Sequence, residues 1–350
     1  MKPIFYFFLF LTFQFSFAQI PQDYYDQAEG KIQSELKSSL FQIVQNGHTQ
    51  NTYTSLWTHF LKTDKHSSGK VWDMYSDCDF IFSTNQCGNF TFECDCYNRE
   101  HSMPLSWMGG ESYPMYADLH HIVPVDGWTN GKRSNFPIGS VGSASWTSYN
   151  GSKLGTSNSP GYSGTAFEPI DEYKGDFARI LFYMVTRYEN LMDSWYTNDV
   201  NATATLDGTT WPSFKQWSSS LYLQWHENDP VSAKEIARND SVFKIQHNRN
   251  PFIDRPEFAR QIWGVDASTE NFQMEVLIYP IPAVDKVTLT SNNEQITEIR
   301  VHDMYGRLLQ SSSVNDLKVE IDISTYSPGL YVVFVKTSSG LTEGYKIIKQ

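Results

Sequence analysis

The chain has 350 residues, 40% of them hydrophobic, with 10 Trp, 20 Tyr and 23 Phe and a formal net charge of −12. The length argues for two domains, and the apolar content supplies ample core, which excludes global disorder. The acidic balance excludes nonspecific attachment to anionic partners through bulk charge. A nucleic-acid enzyme of this composition must gather its cations in one place, or neutralise phosphate with a bound metal.

Residues 1–18 hold an early Lys2, a largely apolar run, and small residues at Ser16 and Ala18 ahead of Gln19. This is the pattern of a secretory signal peptide. The run is short for a membrane anchor, and no later segment is apolar enough to cross a bilayer, so the mature protein is expected to have no transmembrane segment. Over residues 22–45, Tyr24, Tyr25, Ala28, Ile32, Leu36, Leu40, Ile43 and Val44 recur at helical spacing. They predict an amphipathic helix ended by Gly47. A short helix is expected at 56–61, and the aromatic-rich alternation of residues 70–82 suits a strand. All four cysteines lie close together: Cys78, Cys87, Cys94 and Cys96. An even count in an exported chain implies disulfides. Cys94 and Cys96 are poorly spaced to bridge each other. That leaves Cys87–Cys96 with Cys78–Cys94, or Cys78–Cys96 with Cys87–Cys94. Zinc is the rival reading, but the cluster has neither a C-x-x-C knuckle nor a His.

Residues 98–135 concentrate groups that bind metals, move protons or hold phosphates: Arg99, Glu100, His101, His120, His121, Asn130, Lys132 and Arg133. Pro104, Gly109, Gly110, Pro114 and Pro124 interrupt any long helix, so the stretch reads as strand, long loop, strand and helix. Residues 139–164, rich in Ser, Gly, Thr and Asn, are expected to be mostly loop. Residues 177–195 are apolar on most of their circumference and predict a buried helix, in which Arg179 and Arg187 are structural. Phe214, Trp217, Leu221 and Trp225 mark another core helix over 211–226. Asp229 is expected to cap the next helix, with Pro230 in its first position, running towards Ile245. A polar knot follows, Gln246-His247-Asn248-Arg249-Asn250, and a last short helix is expected at 256–262. Residues 264–275 lack periodicity and read as a linker. From Val276 the chain turns to short runs rich in β-branched and aromatic residues, with turns at Tyr305-Gly306 and Pro328-Gly329. They predict a small all-β sandwich without a site of its own.

Four motifs in order make residues 22–263 resemble the bacterial endonuclease I family of extracellular and periplasmic nucleases. They are Asn98-Arg99-Glu100-His101-Ser102-Met103-Pro104, then Asp118-Leu119-His120-His121 with Pro124, then Gly127-Trp128-Thr129-Asn130-Gly131-Lys132-Arg133-Ser134-Asn135, and then Asn248-Arg249-Asn250-Pro251-Phe252. The resemblance implies an α+β fold: a ββα-metal (His-Me) finger embedded in a largely helical nuclease domain over 19–263. Residues 276–350 resemble the C-terminal sorting domain of type IX secretion substrates. Tyr279-Pro280-Ile281-Pro282-Ala283, His302-Asp303-Met304-Tyr305-Gly306 and Gly329-Leu330-Tyr331-Val332-Val333 carry that match, with Ile281 where Asn is usual. The resemblance implies export through the periplasm to the cell surface or beyond, with the secretion machinery as partner.

Phosphodiester hydrolysis needs an activated water and neutralised charge on the phosphate and the leaving 3′ oxygen. A hard ion such as Mg²⁺, or Mn²⁺ or Ca²⁺ in its place, takes oxygen ligands and keeps several waters, so two protein oxygens suffice. Glu100 and the amide oxygen of Asn130 offer them. His101, with an ordinary pKa of about 6.5, is the general base. The resemblance assigns these same roles. An isolated Glu-His pair would read as solvated surface, and the family pattern overturns that. Neighbours on a strand point opposite ways, so Glu100 and His101 need a strand end or a bulge to reach one phosphate. His120 contacts or orients the phosphate, or is a buried hydrogen-bonded residue. Relatives commonly carry Asn at the position of His121, which argues against a catalytic role there. Some relatives hold the phosphate with an Arg in the loop of the site, yet residues 102–117 contain none. Arg133, one helical turn from Asn130, is the expected substitute, with Arg99, Lys132 and Arg249 as alternatives. Asn135, Asn248 and Asn250 are expected to bind backbone phosphates or to cap their own turns. No base-reading element is present. The expected protein is a secreted, metal-dependent, monomeric endonuclease that cuts DNA and RNA with little sequence preference to 5′-phosphate products. The competing expectation is a surface-attached binding protein without turnover.

Overall fold

The computed structural model describes residues 20–264, 276–291, 295–304, 306–338 and 342–350. The expected signal peptide, and the expected linker apart from Gly264, lie outside these residues. The chain forms two compact units, Met1–Gly264 and Val265–Gln350.

The first unit runs α1 (Gln33–Gln45), α2 (Leu56–Thr63), β1 (Tyr97–His101), β2 (Ile122–Asp126), α3 (Gly127–Arg133), β3 (Val141–Thr147), β4 (Lys153–Ser157), β5 (Thr165–Glu168), α4 (Lys174–Arg187), α5 (Met192–Asn198), α6 (Val200–Thr205), α7 (Gln216–Asn228), α8 (Ala233–Gln246), α9 (Pro251–Asp254) and α10 (Glu257–Trp263). The apolar circumference of α4 makes it the axis of the core. Phe177, Phe182, Tyr183, Met184 and Val185 are all fully buried, and α1, α7 and α9 pack around them. α1 presents Leu36 and Leu40 to this core, residues four apart and so on one face.

Several predicted elements take a different form. The first helix begins at Gln33 rather than near Gln22, because Gly30 adopts φ +72° after a 3₁₀ turn at Asp26–Ala28. The helix predicted over 177–195 breaks after Arg187. Tyr188 leaves it, and the Tyr183 and Tyr188 hydroxyls converge on Asp118 Oδ2 at 2.7 and 2.8 Å. Residues 70–82 form turns, not a strand, because the Asp73 carboxylate accepts the N–H groups of Tyr75 at 3.0 Å and Cys78 at 3.2 Å. Residues 139–164, expected to be mostly loop, contain β3 and β4, which form an antiparallel sheet with β5. Gly155 is required there, since a Cβ would come within 2.1 Å of the Ser143 carbonyl oxygen. Asp229 does not cap α8: its carboxylate accepts the Gly175 N–H at 2.8 Å. Ser232 takes that place, in a reciprocal capping box with Glu235.

The strand–strand–helix unit is small and heavily braced. β1 and β2 pair antiparallel, with Glu100 opposite Val123 and His101 opposite Ile122. α3 follows β2 directly, and Asp126 caps it by accepting the Thr129 N–H at 2.7 Å. The other Asp126 oxygen accepts the Cys94 N–H at 2.8 Å. Disulfides join Cys78 to Cys94 and Cys87 to Cys96, the first of the two pairings left open by spacing. Phe90, inside the disulfide loop, lies on α3 where Gly127 and Gly131 make room. A Cβ on either glycine would approach its ring to 2.9 or 2.8 Å.

The second unit comprises β6 (Val276–Tyr279), β7 (Lys286–Ser291), β8 (Ile296–Asp303), β9 (Leu308–Asp316), β10 (Lys318–Asp322), β11 (Gly329–Thr337) and β12 (Thr342–Lys349). They form two antiparallel sheets, ordered β10–β7–β6 and β12–β11–β8–β9. Alternate residues such as Val287, Leu289, Ile299, Val301, Val333 and Val335 build its core, as the period of a strand dictates. The protein is thus mixed helix and sheet, with an all-β C-terminal region.

Candidate active site

His101 is the last residue of β1, so the strand's alternation ends there. Glu100 and His101 both line one cleft of about 330 Å³, together with Arg99, Asn130, Arg133 and Asn135. Glu100 is 2% exposed. Its Oε1 accepts hydrogen bonds from the Tyr75 hydroxyl at 2.9 Å and from Arg133 Nη1 at 2.8 Å. Burial pushes its carboxyl above the ordinary value, against the opposing pull of Arg133 and Tyr75. Asn130 Nδ2 donates to Asn98 Oδ1 at 2.7 Å, which leaves Asn130 Oδ1 as an acceptor.

The His101 ring is held on several sides. Its Nε2 lies 3.3 Å from the Tyr116 carbonyl oxygen. A carbonyl only accepts, so Nε2 carries the ring hydrogen and Nδ1 keeps the lone pair. The ring stacks with Tyr116 and Tyr53, each at 5.6 Å between centroids. Burial, with His121 beside it, pushes its pKa down to about 3, so the imidazole is neutral at ordinary pH.

The cations of the region divide sharply. Arg133 is 1% exposed. Besides gripping Glu100 it donates to the carbonyls of His101 at 3.0 Å and Ser102 at 2.7 Å, so it ties α3 to the end of β1. Arg99 is half-buried, its guanidinium 3.5 Å from the Tyr53 ring centroid and 4.3 Å from that of Trp57. Its Nη1 donates to the Tyr53 carbonyl at 2.8 Å, while its Nε has no protein partner. Lys132 is half-buried over the Trp128 ring at 4.8 Å. Asn135 lines the cleft, but its amide is engaged with Asp199 at 2.7 Å, Ser106 at 3.2 Å and Asn201 at 3.2 Å.

Four expected site residues lie elsewhere, in the interior. His120 is 1% exposed, with Nε2 3.1 Å from the Asn248 carbonyl oxygen; burial pushes its pKa to about 4. Asn248 donates to Val44 O at 3.1 Å and to the Tyr183 hydroxyl at 2.8 Å. Arg249 is paired with Asp254 at 2.6 Å and Asp240 at 2.8 Å. Asn250 caps α9 and donates to the Arg179 carbonyl at 3.1 Å. The polar knot joins α8, α9 and α4 internally, so these side chains are buried and do not line the cleft. His121 is also buried, its Nε2 2.7 Å from the Met115 carbonyl oxygen.

The structure adds Tyr75, Asn98, Tyr53, Trp57 and Tyr116 to the surroundings of the site. Asn98 was within reach of sequence reasoning, since it is two residues from Glu100 and shares its strand face. Tyr116 comes from the loop between β1 and β2, and Tyr53, Trp57 and Tyr75 arrive from distant segments whose local sequence does not mark them.

Residues 32–257 match the endonuclease I family, and residues 277–350 match the secretion system C-terminal sorting domain. An extracellular ribonuclease of Bacillus subtilis (strain 168) is 37% identical over 246 residues, covering 69% of this chain and 78% of that protein. The extracellular ribonuclease of Bacillus amyloliquefaciens is 35% identical over 249 residues, with the same coverage of each chain. An endonuclease-1 of Buchnera aphidicola subsp. Baizongia pistaciae (strain Bp) is 31% identical over 137 residues, 39% of this chain and 46% of that one. A binding protein without turnover is thereby set aside. With two of its four nuclease motifs lining one cleft and a sorting domain at its C-terminus, the chain belongs to the endonuclease I family, as a secreted endonuclease.

Proposed function

We propose that the cleft hydrolyses phosphodiester bonds in DNA and RNA with one divalent ion, leaving 5′-phosphate ends. The observation that carries this is the convergence of Glu100, His101 and Asn130 on a single cleft. Two hard oxygen donors are left over by the surrounding contacts: Glu100 Oε2, since Tyr75 and Arg133 both take Oε1, and Asn130 Oδ1, since Asn98 takes the amide nitrogen. That donor pair suits Mg²⁺, Mn²⁺ or Ca²⁺, ions that keep much of their water. Bound there, such an ion supplies neutralisation of the scissile phosphate and of the leaving 3′ oxygen.

The protein's own residues do the rest. His101 takes the proton of the attacking water at Nδ1, because the Tyr116 carbonyl holds the hydrogen on Nε2. Arg133 was the expected phosphate holder, but its contacts favour a different task, fixing Glu100. Arg99 suits the phosphate better: it lines the cleft, and its guanidinium is preset against the Tyr53 and Trp57 rings. Lys132, two residues from Asn130 on α3, is a second candidate for a phosphate contact. Contacts of this kind read backbone, not bases, which supports cleavage with little sequence preference. The relatives named as extracellular ribonucleases support RNA among the substrates. The sorting domain suggests the type IX machinery as partner, and a monomer suffices for the site. Among the described residues no helix is long and apolar enough to cross a membrane.

The test is digestion of plasmid DNA and of a long RNA by the purified protein with Mg²⁺ and with EDTA. Cleavage of both with the ion, and of neither with the chelator, is expected. Intact substrates in all four reactions, or equal cleavage with EDTA, contradict the reading.

A further inference from the structure

A short turn at residues 73–76, with no part in the proton transfer or the phosphate contact, touches every element of the strand–strand–helix unit. The Tyr75 hydroxyl donates to Glu100 Oε1 on β1 at 2.9 Å. The hydroxyls of Ser76 and Thr129 lie 2.7 Å apart, and Thr129 directly precedes Asn130 on α3. Asp73 Oδ1 accepts the Asp126 N–H at the end of β2 at 3.0 Å, and also that of Tyr75 itself at 3.0 Å. All of these side chains are 3% exposed or less. The Tyr75 ring is wedged between Phe167 and Phe177, at 4.6 and 5.5 Å between centroids, so its hydroxyl is aimed by the core of the domain.

The physical need for such a bracket is plain. A two-stranded ribbon with one short helix has little rigidity of its own. A metal held by only two protein oxygens gets no geometric help from further protein ligands, so what orients those two decides the affinity. Arg133 alone leaves the Glu100 carboxylate free to swing about its bond to Oε1. A second donor on the same oxygen, from a different direction of the chain, fixes the plane of the group and leaves Oε2 presented.

We propose that the 73–76 turn is a positioning bracket for the metal ligands, with Tyr75 orienting Glu100 and Ser76 seating Asn130 through Thr129. The proposal rests on the reading of Glu100 and Asn130 as the ligand pair. Its test is Mn²⁺ binding to the purified secreted protein, by electron paramagnetic resonance, for wild type, Tyr75→Phe, Ser76→Ala and Glu100→Ala, with DNA cleavage followed against Mn²⁺ concentration in parallel. Tyr75→Phe keeps the ring packing and is expected to weaken Mn²⁺ binding roughly 10-fold, while turnover returns to within about twofold of wild type at saturating metal. Ser76→Ala is expected to shift binding in the same direction, and it decides the matter alone should Tyr75→Phe fail to fold. A purely structural role would lower the unfolding temperature without moving the metal constant of the folded protein. Folded variants that bind Mn²⁺ as wild type does, while Glu100→Ala loses binding, overturn the bracket and leave the ligand reading standing. Undiminished binding in Glu100→Ala overturns both.

Discussion

At the scale of single residues, the site is a set of side chains each left with one free function after its neighbours have taken the others. His101 keeps Nδ1, Asn130 keeps Oδ1 and Glu100 keeps Oε2. This explains why substitutions one step from the chemistry should matter. Asn98→Ala frees the Asn130 amide to flip, and is expected to weaken divalent-ion binding roughly 10-fold with little change in folding; titration calorimetry with Mn²⁺ measures it. Arg99→Ala is expected to lower kcat/KM on DNA roughly 100-fold, as loss of one preorganised donor at a developing charge does. Arg99→Lys should not restore it, because an ammonium cannot sit flat between Tyr53 and Trp57. Steady-state kinetics on both variants decides between Arg99 and another cation. Full activity in Arg99→Ala would return the phosphate to Lys132 or to the ion alone.

At the scale of elements, buried polar networks do most of the positioning. Arg249 joins α8 to α9 through Asp240 and Asp254. Removing one partner of such a buried pair strands the other, so Arg249→Ala is expected to destabilise the nuclease unit by roughly 3–5 kcal/mol. Chemical denaturation measures this, and the fraction still folded should cleave DNA normally. His120 and His121 give the fold a pH dependence. Burial holds both at about 4, below the ordinary 6.5. The unfolded chain therefore takes up protons that the folded one refuses, so stability is whole above 6.5 and falls as the pH drops towards 4. Thermal unfolding between pH 7 and 4 tests the sign, and His120→Gln should flatten the slope. These networks also mark where the sequence could be read and where it could not. Glu100, His101 and Asn130, which share a cleft, could be singled out because each sits in a compact local motif. Arg249 was misplaced because a polar run looks alike whether it meets water or Asp240 and Asp254. The sheet β3–β5 was missed because Ser, Gly and Thr on its exposed face carry the composition of a loop. Tyr75 meets Glu100 only through tertiary folding, so no local spacing announces it.

At the scale of the whole molecule, catalysis and address are separable. Every residue assigned to the cleft lies in the unit ending at Gly264, and the β unit has its own core. A protein cut after Gly264 is therefore expected to digest DNA as fast as the full chain, within about twofold on a kcat/KM comparison. A large loss would mean that the β unit contributes to the site. The net charge of −12 fits this division: in an otherwise acidic chain, cations able to attract phosphate, Arg99 and Arg133, line one cleft.

On the proposed mechanism everything at the cleft turns on His101 removing the proton from the attacking water. That step is tested most directly by comparing His101→Ala with wild type in plasmid cleavage at saturating Mg²⁺, with DNA affinity and unfolding temperature measured on the same samples. Turnover is expected to fall roughly 100-fold or more, with affinity and unfolding temperature unchanged. Turnover close to wild type in a folded, DNA-binding His101→Ala protein would contradict it.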